Sequence, residues 1–331
     1  MSQICQVAVF SNQPYDETFL RQAGPALQWR FLCQPLNADT VQLAAGSEAI
    51  CAFVNDDLSA AVLQQLQQLG VRLVALRCAG FNNVDLAAAR KFGIRVARVP
   101  AYSPQAVAEH CVAMMLCLNR KLHKAYNRVR DDNFSLQGLM GFNLHGKTAG
   151  LIGTGRIGQA TAAILHGFGM QLLCYDPQPQ PEALPPSARY VDLATLYRDS
   201  DVISLHCPLT PQSHHLINQS TLAQMQDGVM LINTSRGGLI DTKAVIEALK
   251  SKKIGLLGLD VYEQEADLFF KDLSEEMIAD EVFQRLLTFP NVLITGHQAF
   301  FTQEALAQIS QITVANLQAL LTGAPCPNEL T

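Results

Sequence analysis

The chain has 331 residues, 49% hydrophobic and 16% charged, with a formal net charge of −5. That length leaves room for two domains. No apolar run reaches the roughly 18 residues of a membrane span, and an acidic balance without a long basic run excludes nucleic acid or an anionic membrane surface as the main partner.

Residues 1–10 (MSQICQVAVF) carry neither a basic n-region nor a cleavage site, so a cytoplasmic location is expected. Runs rich in Val, Ile and Phe at 7–10, 50–54, 71–76 and 94–99 predict strands, with a helix over 58–69 closed by Gly70. The alternation predicts a parallel sheet covered on both faces, here without a glycine-rich phosphate turn. Ser103 and Pro104 read as the N-cap and first residue of a helix over 103–122. Its middle is apolar on nearly every side (Val107, Cys111, Val112, Met114, Met115, Leu116, Leu118). Such a helix is expected to be buried all round, between domains or in a homo-oligomer contact; a homodimer or homotetramer through it is the preferred expectation.

A second series predicts six strands, at 148–153, 172–176, 202–206, 229–233, 254–260 and 292–295. Residues 177–186 (PQPQPEALPP) read as a surface loop, and 302–321 as a long amphipathic helix. The fold class is therefore α/β, with two doubly wound parallel sheets of Rossmann or flavodoxin type. Nine cysteines, an odd number without a C-x-x-C pair, are expected to be reduced. No Cys/His cluster has metal-ligand spacing, and no metal is expected.

Gly153, Gly155 and Gly158 form G-x-G-x-x-G between a predicted strand and a predicted helix, and Asp176 ends the next strand 18 residues after Gly158. In that context the first glycine makes the turn, the second admits a pyrophosphate, and the third lets helix meet strand. Asp176 would bond the ribose hydroxyls and repel a 2′-phosphate, so NAD is expected over NADP. Three further strand ends carry Arg236, then Asp260 with Glu263 and Glu265, then His297. Each alone reads as a turn salt bridge, a solvated acid or a packing residue. Together, on the carboxyl edge of a parallel sheet, they point to catalysis.

The chain resembles the D-isomer-specific 2-hydroxyacid dehydrogenases over nearly its whole length. The resemblance rests on 77–85 (RCAGFNNVD), 99–110 (VPAYSPQAVAEH), 153–158 (GTGRIG), 206–210 (HCPLT), 232–241 (INTSRGGLID), 259–270 (LDVYEQEADLFF) and 294–302 (ITGHQAFFT). It implies that Arg236 holds a substrate carboxylate, that His297 is the general acid, and that Glu265 bonds the far ring nitrogen and favours imidazolium. Reduction of a 2-oxo acid would then weaken with rising pH. Only the resemblance separates Glu265 from Glu263. By the same carry-over Ala79 and Gly80, after Cys78, offer N–H groups to the substrate, Tyr102 touches it, and Phe53 and Phe300 narrow its pocket. Arg156, Ile157, Cys207, Pro208 and Thr234 line the cofactor, and Asp260 supports the nicotinamide side. Ser213 stands where many relatives are expected to have Asn, which weakens one cofactor contact.

The resemblance also implies a discontinuous substrate domain, 1–100 plus 299–331, and an NAD-binding domain, 101–298, with the active site in the cleft between. The segments 265–270 and 297–302 are similar to the D-lactate branch of the family, which implies NADH-linked reduction of pyruvate. Alternatives are another D-2-hydroxyacid dehydrogenase, acting on a branched 2-oxo acid or hydroxypyruvate, or an NAD-sensing corepressor-like binding protein.

Overall fold

The computed structural model describes residues 5–331. The chain divides into two compact units, one formed by the residues up to Ser103 together with Phe301–Thr331, the other by Pro104–Phe300.

The first unit contains strands β1 (Gln6–Val9), β2 (Gln28–Phe31), β3 (Ala49–Ala52), β4 (Leu73–Leu76) and β5 (Arg95–Ala97). They pair in parallel in the order β2-β1-β3-β4-β5, the flavodoxin arrangement. Successive side chains point to opposite faces, so each strand feeds two cores. Ala8, Ile50, Ala52, Val74 and Leu76 meet the helix Ala60–Gln68 through Val62, Leu63 and Leu66. Val7, Val9, Ala49, Cys51, Leu73 and Ala75 meet Leu20, Leu317 and Leu320. The last two belong to the helix Gln303–Thr322, whose first turn is capped by Thr302 accepting from the Ala305 N–H. That helix therefore returns the C-terminal segment to the first unit. Strand β2 is absent from the sequence-based prediction: it is an edge strand with no fully buried residue, so its apolar signal is weak.

The second unit contains β6 (Thr148–Ile152), β7 (Gln171–Tyr175), β8 (Ala188–Tyr190), β9 (Val202–Leu205), β10 (Val229–Asn233), β11 (Ile254–Leu259) and β12 (Val292–Ile294). Their order, β12-β11-β10-β9-β6-β7-β8, reverses direction between β6 and β9, the switch point of a Rossmann sheet. Seven strands replace the six predicted. The addition, β8, is a three-residue edge strand just after the proline-rich segment, which is exposed and holds only the short turn Pro181–Ala183.

The helix predicted over 103–122 stops sooner, at Pro104–Arg120. Lys121 takes a left-handed φ of 50° and starts a new helix, Leu122–Arg130. Within the single chain this helix is not covered on every side. Met114, Met115 and Leu118 are buried within their own unit, but Gln105, Glu109 and Ala113, four residues apart, form an exposed edge. No described helix is long and apolar enough to cross a membrane. All nine cysteines are free thiols.

Candidate active site

The glycine turn follows β6 and opens the helix Arg156–Gly167. Gly153 has a φ of 97°, and a Cβ there would stand 2.6 Å from the Cys207 nitrogen, so a side chain is doubly excluded. At Gly158 a Cβ would collide with the Gly153 carbonyl oxygen. At Gly155 it would meet nothing within 4 Å. The first and third glycines thus serve the fold, and the second leaves open space before a helix N-terminus, where a diphosphate fits.

Asp176 lies just beyond β7. Its Oδ2 accepts from the Thr154 N–H at 2.7 Å and its Oδ1 from the Gln178 N–H at 2.9 Å. Oδ2 also accepts from Thr154 Oγ1 at 3.2 Å, which leaves Oδ1 the open lone pair for a ribose hydroxyl. Arg156 and Ile157 form the first helical turn after Gly155, Cys207 and Pro208 follow β9, and buried Thr234 follows β10, all on the carboxyl edge of the sheet. These residues fit a dinucleotide. A Gly155→Ala variant is expected to keep the wild-type Tm yet weaken NADH binding about tenfold by shielding the helix N-terminus. Gly158→Ala should instead lose several degrees of Tm through its backbone clash. Parallel melting and NADH-fluorescence titrations check the pair.

His206 sits at the same edge. Its Nε2 lies 3.0 Å from Ser204 Oγ, which in turn lies 3.1 Å from Cys111 Sγ, while Nδ1 is buried without a partner. Burial pushes the ring down from its ordinary 6.5 to about 4. In the unfolded chain it would take up a proton already near 6.5, so stability is full above that pH, declines as pH falls toward 4, and then levels off. The loss amounts to at most about 3 kcal/mol. Urea unfolding between pH 7 and pH 4 should be less pH-dependent in His206→Gln than in wild type.

Arg236 follows β10 and is half-buried. Buried Asn233 braces its loop, donating to the Arg236 carbonyl at 2.8 Å and accepting from the Ser235 N–H at 3.0 Å. The guanidinium spends Nη1 on the Ser235 carbonyl at 2.6 Å, and among the described residues no carboxylate pairs with it. An arginine held this way is available to a carboxylate from outside.

His297 follows β12 in a left-handed conformation, φ 54°. The turn is held by Asp260, which is fully buried. Asp260 accepts from the Gln298 and Ala299 N–H groups at 2.9 Å each and from Thr295 Oγ1, and its carbonyl accepts from the His297 N–H at 2.8 Å. His110, the lone basic side chain of the helix Pro104–Arg120 before its last residue, adds Nε2 at 3.1 Å from Thr295 Oγ1 and 3.3 Å from Asp260 Oδ1. Asp260 therefore shapes the turn, a more specific part than support of the nicotinamide side. The place of His110 was missed; its signal was a lone histidine at the start of the helix's apolar middle.

The His297 ring offers Nδ1 to Glu265 Oε1 at 2.8 Å, and Glu265 Oε2 accepts from the Tyr262 N–H at 2.9 Å. A carboxylate can only accept, so Nδ1 carries a proton and Nε2 points its chemistry elsewhere. Phe270 and Phe300 flank the ring, with centroids 5.7 and 6.4 Å away. Glu263 is committed to other partners, His215 Nε2 at 2.6 Å and the Thr242 N–H at 3.1 Å, so the two acids are separated by geometry.

In the first unit, the turn after β4 directs the Cys78 thiol to the Gly80 carbonyl at 3.3 Å, and Arg98 donates to the Ala79 carbonyl at 2.8 Å. Phe53 lies over the buried Arg77 guanidinium at 4.9 Å, and its N–H is held by Asp56 at 2.6 Å. Tyr102 is half-buried in the extended stretch between β5 and Pro104.

Residues 112–299 match the model of the D-isomer specific 2-hydroxyacid dehydrogenase, NAD binding domain. The chain is 57% identical over 327 residues to D-lactate dehydrogenase of Escherichia coli (strain K12), spanning 98% of this chain and 99% of that protein. The solved apo-structure of D-lactate dehydrogenase from Escherichia coli superposes with a TM-score of 0.90 at 54% identity, covering 98% of this chain and 100% of that one. The Aquifex aeolicus D-lactate dehydrogenase, complexed with NAD and lactic acid, gives a TM-score of 0.85 at 36% identity, with 96% of each chain covered. The glycine cradle, the Glu265–His297 pair and these likenesses converge, and the chain belongs to the D-isomer specific 2-hydroxyacid dehydrogenase family.

Proposed function

We propose that the protein reduces pyruvate to D-lactate with NADH. The observation that carries this reading is the Glu265–His297 pair in the same unit as an arginine with no acidic partner among the described residues and an open glycine cradle. When bound, the dinucleotide supplies the hydride. Asp176 holds its ribose hydroxyls, the Gly155 turn its phosphates, and Arg156, Ile157, Cys207, Pro208 and Thr234 line it. Arg236 forks onto the substrate carboxylate. His297 Nε2 donates the proton that the ketone oxygen takes up, while Glu265 accepts from Nδ1 and orients the ring. Ala79 and Gly80 offer N–H groups to the carboxylate, Tyr102 touches the substrate, and Phe53 and Phe300 limit its side chain. The unit ending at Ser103 and resuming at Phe301 would be the substrate domain, and Pro104–Phe300 the NAD-binding one.

The test is an NADH-coupled scan of 2-oxo acids with a chiral assay of the product. Pyruvate giving D-lactate is the expected result; an L-product or no turnover refutes the assignment, and a preference for a branched 2-oxo acid selects a sister activity.

As partner we propose a second copy of the chain, in the cytoplasm. The support lies beyond the helix expected to make the contact: Tyr126, Val129, Phe134, Leu136 and Met140 are 62%, 52%, 71%, 81% and 87% exposed. Exposed apolar side chains this close together in the sequence support an association surface there. A Leu136→Glu/Met140→Glu variant should sediment as a smaller species than wild type.

A further inference from the structure

We propose that His215 and Glu263 form a positioning pair, which locks the loop bearing Arg236 against the loop bearing Glu265. This rests on the assignment of Arg236, Glu265 and His297 to the reaction.

Glu263 stands two residues before Glu265 on the loop after β11. Its Oε1 lies 2.6 Å from His215 Nε2, and its Oε2 accepts from the Thr242 N–H at 3.1 Å and from Thr242 Oγ1 at 2.5 Å. Thr242 opens the helix Thr242–Lys250, which the chain enters directly from the Arg236 loop. On the other side, the His215 N–H donates to the Gly238 carbonyl at 2.8 Å, two residues after Arg236. The Glu263 carboxylate thus meets this stretch directly at Thr242 and, through His215, at Gly238. Between those contacts the backbones touch: a Cβ on Gly237 would collide with the Tyr262 carbonyl and the Glu263 nitrogen. No side chain cushions that contact, so a shift of either loop moves the other.

Two further features separate this from an incidental surface ion pair, which contributes little. Glu263 is an exposed residue whose side chain is only 26% exposed, and its two oxygens together meet three polar groups. His215 holds a left-handed φ of 50° and stacks on His214 with centroids 3.9 Å apart. A non-glycine residue in that region costs about 1 kcal/mol and persists where its surroundings hold it. The pair touches neither substrate nor cofactor in this scheme; it acts through the two residues that do.

The test uses the full-length protein with NADH and pyruvate. His215→Asn tolerates the left-handed backbone but is too short to reach Glu263; His215→Gln is long enough. His215→Asn and Glu263→Ala are each expected to lower kcat about tenfold, as small misplacements of catalytic groups do, with the NADH Kd within twofold of wild type. His215→Gln should recover kcat to within about threefold, and the double variant should be no worse than the poorer single one, the signature of a shared interaction. A His215→Asn kcat within twofold of wild type overturns the proposal. So does a loss that His215→Gln does not recover, or one that follows weakened NADH binding. If the wild-type protein does not turn over pyruvate, the functional reading fails separately. The ring ¹⁵N shifts of His297 then decide: a change in His215→Asn that His215→Gln reverses supports the pair, and identical spectra overturn it.

Discussion

A His297→Gln variant is expected to lose about a thousandfold in kcat for pyruvate reduction, the middle of the range for removing a positioned general acid. Glutamine approximates the ring's reach and can still accept or donate a hydrogen bond, but it cannot release a proton. The NADH Kd should stay within twofold, because every residue placed around the cofactor lies outside this substitution. Glu265→Gln is expected to lose less, since it keeps a hydrogen-bond acceptor for Nδ1 and removes only the negative charge beside the ring. Stopped-flow turnover with the two variants and wild type checks the order. A His297→Gln enzyme retaining a tenth of wild-type kcat would remove the ring from the chemical step.

The second large effect concerns Arg236. Arg236→Lys keeps the positive charge and discards the fork, so kcat/KM for pyruvate is expected to fall about a hundredfold, equivalent to roughly 2.7 kcal/mol. Methyl pyruvate, whose ester cannot accept a bidentate charged pair, should already be a poor substrate of the wild-type enzyme, and Arg236→Lys should cost it far less. Steady-state kinetics with acid and ester measure this directly. Equal losses on both would mean that the guanidinium serves the loop and not the carboxylate. The geometry favours the carboxylate, because the loop is already braced by Asn233 and needs only one guanidinium N–H.

Much of the fold could be read from the sequence because parallel strands buried on both faces appear as continuous apolar runs. The central strands β6, β9, β10 and β11 are of that kind. The edge strands β2 and β8 escaped because one side of each faces solvent and their composition does not differ from a loop. The stop at Lys121 escaped for another reason: a left-handed residue that is neither Gly nor Asn leaves no compositional mark. Within the site, the glycine motif and Asp176 were legible because each glycine answers a separate steric demand, and the structure assigns those demands to Gly153, Gly155 and Gly158 individually. The choice between Glu263 and Glu265 was beyond spacing alone, since both acids stand on one loop two residues apart. It depends on where His215 and Thr242 arrive from distant parts of the chain.

Asp260 has a consequence for how such an enzyme can change. The turn that presents the imidazole is tied down by a carboxylate that never meets it, while a different carboxylate holds its Nδ1. The place of the turn and the orientation of the ring are therefore under separate control. Exchanges at residue 265 can loosen the ring's orientation without dislodging its turn, whereas an exchange at residue 260 forfeits the ring's address.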